Sequence, residues 1–363
     1  MNRLSHYSKL IKENLCEKLN ALSTLKVTLD FLKRKLLRYK LNKPDWRNYV
    51  DKGFSWISGQ YAQGLLSVGD KKSIRTLTRF YNRLMWVKRL GIPVFEVPDQ
   101  IIHAQVLLGL YISFGKKQYR PLIEEAAVLL KSIASENEGL IIYWPPDKEL
   151  LVDTLGMISD FCYDYDKVFG KTELAEIAKR QLEYTEENCI DSSCGLPYHS
   201  HLYIEKKNGG SSTWGRGIGW YLLGLTAYVK NCGSKEKRLE QVLESLFSQQ
   251  DSEGFLYNDF EKPTHIDSST TCMAALCLAE WLVNDLLEKE QEDKLSECLV
   301  MSVKALTAST NEKGEVLNCS GECNAAGEYS EEYGNYFSQG YTLELLSLIK
   351  SNKKLSRLFD VEL

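Results

Sequence analysis

The sequence predicts an all-α protein, an (α/α)6 barrel of six helical hairpins closed into a ring. Three observations predict it. Apolar residues recur at helical spacing through nearly the whole chain, strand-like alternation is scarce, and the connections alternate between short and long. If helices pair around a ring, that alternation puts tight turns on one rim and long loops on the other. The long-loop rim is where a site is expected.

The elements follow in order. Residues 1–45 read as an N-terminal helical extension, with Leu25, Val27, Leu29, Phe31, Leu32, Leu36 and Leu37 as an apolar stripe among lysines and arginines. Packing on the domain is the simpler reading of this stretch; a partner or membrane-surface helix is the sharper one. Beyond it the periodicity predicts helices over 46–65, 71–89, 98–114, 117–135, 151–168, 171–188, 214–231, 234–249, 267–285, 289–309 and 334–350. Val106, Leu107, Leu110 and Tyr111 show the spacing. Gly115, Gly170 and Gly233 stand just past helix ends, where a left-handed backbone is needed. The connections 136–150, 189–213, 250–266 and 310–333 are the long ones. These segments, with one helix missed, make six hairpins. No fixed-length repeat argues for a solenoid. No Pro- or Gly-rich linker divides 46–363, which reads as one barrel domain.

Bulk properties exclude several classes. A net charge of −4 argues against a nucleic-acid partner, because phosphate binding needs a basic surface, while leaving room for a local basic pocket. No stretch approaches the roughly 20 apolar residues of a membrane span, and Met1 to Asn20 lacks the apolar core of a secretory signal. Ten cysteines scattered through helical patterns suggest reduced thiols. Together these point to the cytoplasm. Cys189 and Cys194 are too widely spaced for a CxxC pair, and Cys319 with Cys323 has no second pair, so neither a metal nor a cofactor is expected. Oligomeric state has no signature in the sequence.

The long loops carry the unusual residues. Loop 136–150 holds Trp144 and runs on to Asp153. Loop 189–213 holds His199, His201 and Tyr203, then leads into Ser-Ser-Thr-Trp-Gly-Arg-Gly-Ile-Gly-Trp at 211–220. Loop 250–266 ends at Asp267-Ser268-Ser269. Aromatic rings beside carboxylates, arginine and histidine suit a sugar site, since rings stack on pyranose CH faces and polar groups bond hydroxyls. Each residue also has a plainer reading. Asp99 and Asp153 each stand at a helix start, where aspartate is a favoured cap, and Asp267-Ser268-Ser269 reads as a cap too. His199 can serve as a loop histidine bonded to backbone, and Trp214 and Trp220 as core residues. His103 and His265 read as structural. Gly215, Gly217 and Gly219 follow no strand and do not complete a dinucleotide fingerprint.

Four segments, taken in order, narrow this further: Pro98-Asp99-Gln100 leading into LLGLY; Val152-Asp153-Thr154-Leu155-Gly156-Met157; Trp214-Gly215-Arg216-Gly217-Ile218-Gly219-Trp220; and Asp267-Ser268-Ser269. With GLPYH at 195–199, they give a chain that resembles the unsaturated glucuronyl and unsaturated rhamnogalacturonyl hydrolases, glycoside hydrolase families 88 and 105, over residues 47–350. The resemblance implies a six-hairpin α/α barrel. It also implies removal of a terminal 4,5-unsaturated uronic acid from a short acidic oligosaccharide by hydration of the C4=C5 bond. Asp153 would protonate C4 and then serve as base for water, with Asp99 as the second aspartate whose charge raises the Asp153 pKa. His199 would bond substrate or water, and Arg216 the uronate carboxylate or a hydroxyl. Trp214, Trp220 and Trp144 would contact the sugar. Asp267-Ser268-Ser269 looks like the glucuronyl type and GLPYH like the rhamnogalacturonyl type, so the resemblance leaves the uronic acid open.

Two other readings stand beside it. A sugar epimerase on an α/α barrel would place paired histidines across the substrate ring. A non-catalytic saccharide-binding or scaffold protein would keep the barrel with Asp153 turned into a cap.

Overall fold

A computed structural model describes residues 2–41, 53–143, 148–284, 289–321, 323 and 337–359. Six helices form the inner wall: α3 (Trp56–Val68), α5 (Ile101–Ser113), α7 (Asp153–Phe169), α9 (Gly215–Cys232), α11 (Ser268–Val283) and α13 (Gln339–Ser351). Each packs on the next, and α13 closes on α3, so the ring is complete. Their sequences explain the position. SSTTCMAALCLAEWLV and GRGIGWYLLGLTAYVKNC bury almost every side chain, as helices enclosed on all sides must.

The outer wall is amphipathic. It comprises α4 (Lys71–Arg89), α6 (Arg120–Ser135), α8 (Glu173–Asn188), α10 (Glu236–Phe247) and α12 (Lys289–Ala308). The expected (α/α)6 barrel is the fold the chain adopts. Gly115, Gly170 and Gly233 have φ of 63°, 63° and 60°, the left-handed ends expected of them.

The sixth outer place is taken by α1 (Asn2–Leu22), which lies against α3, α4 and α13. Leu4, Ile11, Leu15 and Leu19 recur at helical spacing and are buried there. Lys12 pairs with Asp70 at 2.8 Å, and the Lys18 ammonium donates to Gln339 Oε1 at 3.0 Å. A second N-terminal helix, α2 (Leu25–Leu41), follows, and Leu25 and Leu29 of the expected stripe are exposed. The expected boundary at residues 45 and 46 lies outside the described residues. The short helix α14 (Lys353–Leu358) packs on α13 and α11. Among the described residues, no helix is long and apolar enough to cross a membrane.

Ring closure depends on two glycines. A Cβ on Gly64 of α3 would stand 2.6 Å from the Gly340 carbonyl oxygen, and one on Gly340 would stand 2.3 Å from that of Gln60. The α3 and α13 backbones are therefore in contact, with no side chain able to yield. Gly64→Val is expected to cost roughly 1–3 kcal/mol or more, since overpacking here must move backbone. Urea denaturation checks this; an unchanged midpoint would rule out the close approach.

Because each inner helix from α3 to α11 is followed by a short connection and its outer partner, and α13 follows the outer helix α12 by a long one, the inner helices run the same way, and their N-termini share the long-loop rim. Among the described residues, one small sheet sits there. Strands β1 (Glu149–Leu151), β2 (Ser200–Leu202) and β3 (Lys207–Gly209) pair antiparallel in that order. It ties loop 136–150 to loop 189–213.

Candidate active site

The sheet sets the site. Leu151 pairs with Ser200, and the Val152 N–H donates to the His199 carbonyl at 3.0 Å. That register carries His199 alongside Asp153, the first residue of α7. His199 Nε2 stands 3.3 Å from Asp153 Oδ2, close enough for an ion pair though not aligned as a full hydrogen bond. Asp153 is not a cap: Val152 holds the cap position, and no side-chain capping bond forms there. His199 is only 2% exposed. Burial works against its cation, but the Asp153 carboxylate and then Cys323 outweigh it and push its pKa up to about 10. His199 therefore stands as an imidazolium at neutral pH.

Asp99 lies in a 3-10 turn, Pro98–Gln100, that packs against α7. It is half-buried, and its Oδ1 has no hydrogen-bond partner among the described residues. Burial pushes its carboxyl up to about 7. A raised carboxyl confers stability that is complete below the ordinary value of 3.8 and is lost as pH rises to about 7. Asp99→Asn keeps the shape and never ionises. It is expected to be more stable than the wild type at pH 8, on the order of 1–3 kcal/mol, and no more stable at pH 4. Equal melting of the two proteins at both pH values would contradict the buried carboxylate.

Trp214 and Arg216 stand behind His199. The Trp214 ring lies 4.4 Å from the His199 ring, and the Arg216 guanidinium lies 5.2 Å from the Trp214 ring and 4.6 Å from Phe337. Arg216 is 2% exposed. Its Nη1 donates to Ser320 Oγ at 2.8 Å, the Ser320 carbonyl at 3.0 Å and Ser269 Oγ at 3.3 Å; its Nη2 donates to the Gly321 carbonyl. These bonds occupy the fork on the chain itself and hold the 320–321 loop. Asp267 completes the assembly as a true cap of α11. It accepts from Ser269 N, Thr270 N, both their hydroxyls and Ser320 N.

Other expected residues lie elsewhere. Trp220 is fully enclosed, edge-on to Trp56 at 5.9 Å and Tyr341 at 6.0 Å, and offers no face to a sugar. Trp144 lies outside the described residues. His201 turns to Asn208 Oδ1 at 2.7 Å and Tyr184 OH at 3.2 Å. His103 is fully buried against Tyr81, Ser58 and the Ser55 carbonyl.

Sequence reasoning missed Trp56, Phe337, Ser320 and Cys323. Trp56 is half-buried at the start of α3 and stacks on Phe337 at 4.5 Å, and of Trp56, Trp214 and Trp220 it is the one that keeps some exposure. Its place at the head of an apolar helix after a serine cap was the available signal. Among the described residues, no group of three or more His, Cys, Asp or Glu is arranged to hold a metal ion.

The chain is thus a closed α/α barrel with a carboxylate–imidazole pair on its long-loop rim. The chain belongs to glycosyl hydrolase family 88, whose model matches residues 34–350, and it is a glycoside hydrolase by that membership. Similar solved structures include a possible family 105 member from Klebsiella pneumoniae, with TM-score 0.71 and 16% identity over 83% of this chain and 84% of that one. An unsaturated glucuronyl hydrolase from Bacillus sp., responsible for degradation of glycosaminoglycan, has TM-score 0.69 and 17% identity, covering 84% and 88%. An unsaturated glucuronyl hydrolase specific for heparin has TM-score 0.66 and 19% identity, covering 82% and 86%. At these identities the likeness establishes the fold.

Proposed function

We propose that this hydrolase removes a terminal 4,5-unsaturated uronic acid from a short acidic oligosaccharide by hydrating the C4=C5 bond. The observation that carries this reading is the Asp153–His199 pair at 3.3 Å. Hydration needs a proton delivered to C4, where the bond's electrons go. Positive charge then builds at C5 beside the ring oxygen, water adds there, and the resulting hemiketal opens and frees the sugar. The imidazolium proton of His199 passes to Asp153, Asp153 delivers it to C4, and the carboxylate left behind takes a proton from the attacking water and shares it again with the imidazole.

Asp99 suits an anionic substrate. A carboxyl with a pKa of about 7 is largely uncharged just below neutrality, so it meets the uronate with a hydrogen bond rather than repulsion. The N-termini of the inner helices converge on the same rim and favour the anion further. Arg216 acts by holding Trp214 and the 320–321 loop in place rather than by gripping the uronate. Trp214 shapes the wall behind His199, and Trp56 is the stronger choice than Trp220 for a sugar platform.

The test uses lyase-generated unsaturated disaccharides of glucuronyl and galacturonyl types, following loss of the ultraviolet absorbance of the conjugated alkene. Loss with one type names the uronic acid. A folded protein that consumes none of a broad panel, yet binds saturated acidic oligosaccharides, would favour the non-catalytic saccharide-binding reading instead.

A further inference from the structure

One group at the site has no part in the proposed reaction. Cys323 Sγ lies 3.7 Å from Nδ1 of His199, while Nε2 of the same ring faces Asp153. Carboxylate, imidazole and thiol thus stand in a row, the order that activates a nucleophilic cysteine. Among the described residues, no other cysteine is placed in this way. Cys16, Cys162, Cys189, Cys272, Cys277 and Cys319 are enclosed, and burial pushes the thiol of each up, as it does that of the partly exposed Cys298, which holds them as unreactive SH groups. The exposed sulfurs of Cys194 and Cys232 meet hydroxyls, those of Ser212 and Tyr163. Cys323 is partly exposed beside a cationic ring.

We propose that Cys323 is a covalent modification site, an electrophile-reactive thiol whose adduct disables the Asp153–His199 pair. The ligand class is a soft electrophile: a peroxide or an activated carbon. With hydrogen peroxide, the thiol first releases its proton to solvent. The sulfur then attacks one peroxide oxygen, the O–O bond breaks, and the departing hydroxide takes up that proton as water. Sulfur is oxidised to the sulfenic acid, and the peroxide is reduced. At 3.7 Å there is no space for an added oxygen or carbon between Sγ and Nδ1. An adduct on that side of the sulfur displaces the imidazole from Asp153.

Limiting iodoacetamide on the full chain at pH 7, with peptide mass spectrometry, reads the rate at every cysteine. Cys323 is expected to react about tenfold faster than Cys194 or Cys232, the order of gain typical of a cysteine that faces a histidine ring. His199→Gln is expected to erase that advantage and leave the other two rates alone. A wild-type Cys323 rate no higher than those of the two exposed cysteines overturns the proposal, and that comparison needs no variant. So does an unchanged Cys323 rate in folded His199→Gln protein.

The effect on turnover rests on the proposed reaction. Peroxide is expected to abolish hydration in step with sulfenic acid at Cys323, with recovery on adding dithiothreitol, and full turnover in modified protein overturns the switch. If no unsaturated disaccharide is consumed at all, the His199 imidazole resonance before and after modification decides instead. An unmoved resonance then overturns it, whereas a shifted one supports it.

Discussion

Asp153→Asn is expected to lower kcat for the unsaturated disaccharide by about 10²–10⁴-fold, the range of a lost general acid–base, with a much smaller change in KM. The amide keeps the shape of the carboxyl but can neither deliver the proton nor receive one from water. A second readout follows from the pairing. The same change removes the group that outweighs burial at His199, so the imidazole should fall from about 10 by several units. NMR titration of the His199 ring reads this directly. The sign of the linked stability is fixed as well. A histidine raised by a partner confers stability that is complete below its ordinary 6.5 and is lost as pH rises through about 10. The wild type should therefore lose stability over that alkaline window more steeply than Asp153→Asn. A variant that keeps its activity, or a His199 ring that titrates unchanged, would separate the pair from the chemistry.

The parts of this site that were legible in the sequence are those governed by local pattern or carried by ordered motifs. Helical periodicity gave the barrel, because each helix had to hide an apolar face or, for the inner ones, nearly its whole surface. Asp153, His199 and Asp99 stood out through the ordered motifs that resemble families 88 and 105; by local pattern alone the two aspartates read as helix caps. What was not legible depended on pairing across the chain. Strands of three residues are too short to show alternation, so nothing in GLPYH said that His199 rather than His201 would face α7. Trp214 and Trp220 look equivalent in one motif, yet six positions along a helix carry one to the rim and the other into the core. Arg216 read as a free cation because its acceptors, Ser320 and Gly321, are more than a hundred residues away. The apolar stripe of α1 was hidden in a stretch rich in lysine, and only its fit against α3 and α13 gives it a place.

The largest effect on stability is expected at Asp267. This carboxylate is fully buried and accepts five hydrogen bonds, from Ser269 N at 3.2 Å, Ser269 Oγ at 2.7 Å, Thr270 N at 3.1 Å, Thr270 Oγ1 at 2.6 Å and Ser320 N at 2.9 Å. Through Ser269 and Ser320 it also faces the Arg216 guanidinium, which has no carboxylate within ion-pair distance among the described residues. Asp267→Ala leaves buried N–H groups without acceptors and removes the carboxylate that Ser269 and Ser320 link to a buried cation. Breaking such a network typically costs about 3–5 kcal/mol. Asp267→Asn keeps an acceptor but not the charge, and should fall between the variant and the wild type. The loss should also reach the chemistry. Asp267 holds Ser320, Ser320 holds Arg216, Arg216 packs on Trp214, and Trp214 backs His199, so loosening the first link frees the last. In urea denaturation the alanine variant should show a much lower midpoint. Under conditions where it remains folded, its His199 should titrate below the wild-type value. A cost under about 1 kcal/mol would mean that water replaces the carboxylate at little loss, and the chain of contacts from α11 to Asp153 would then carry no constraint.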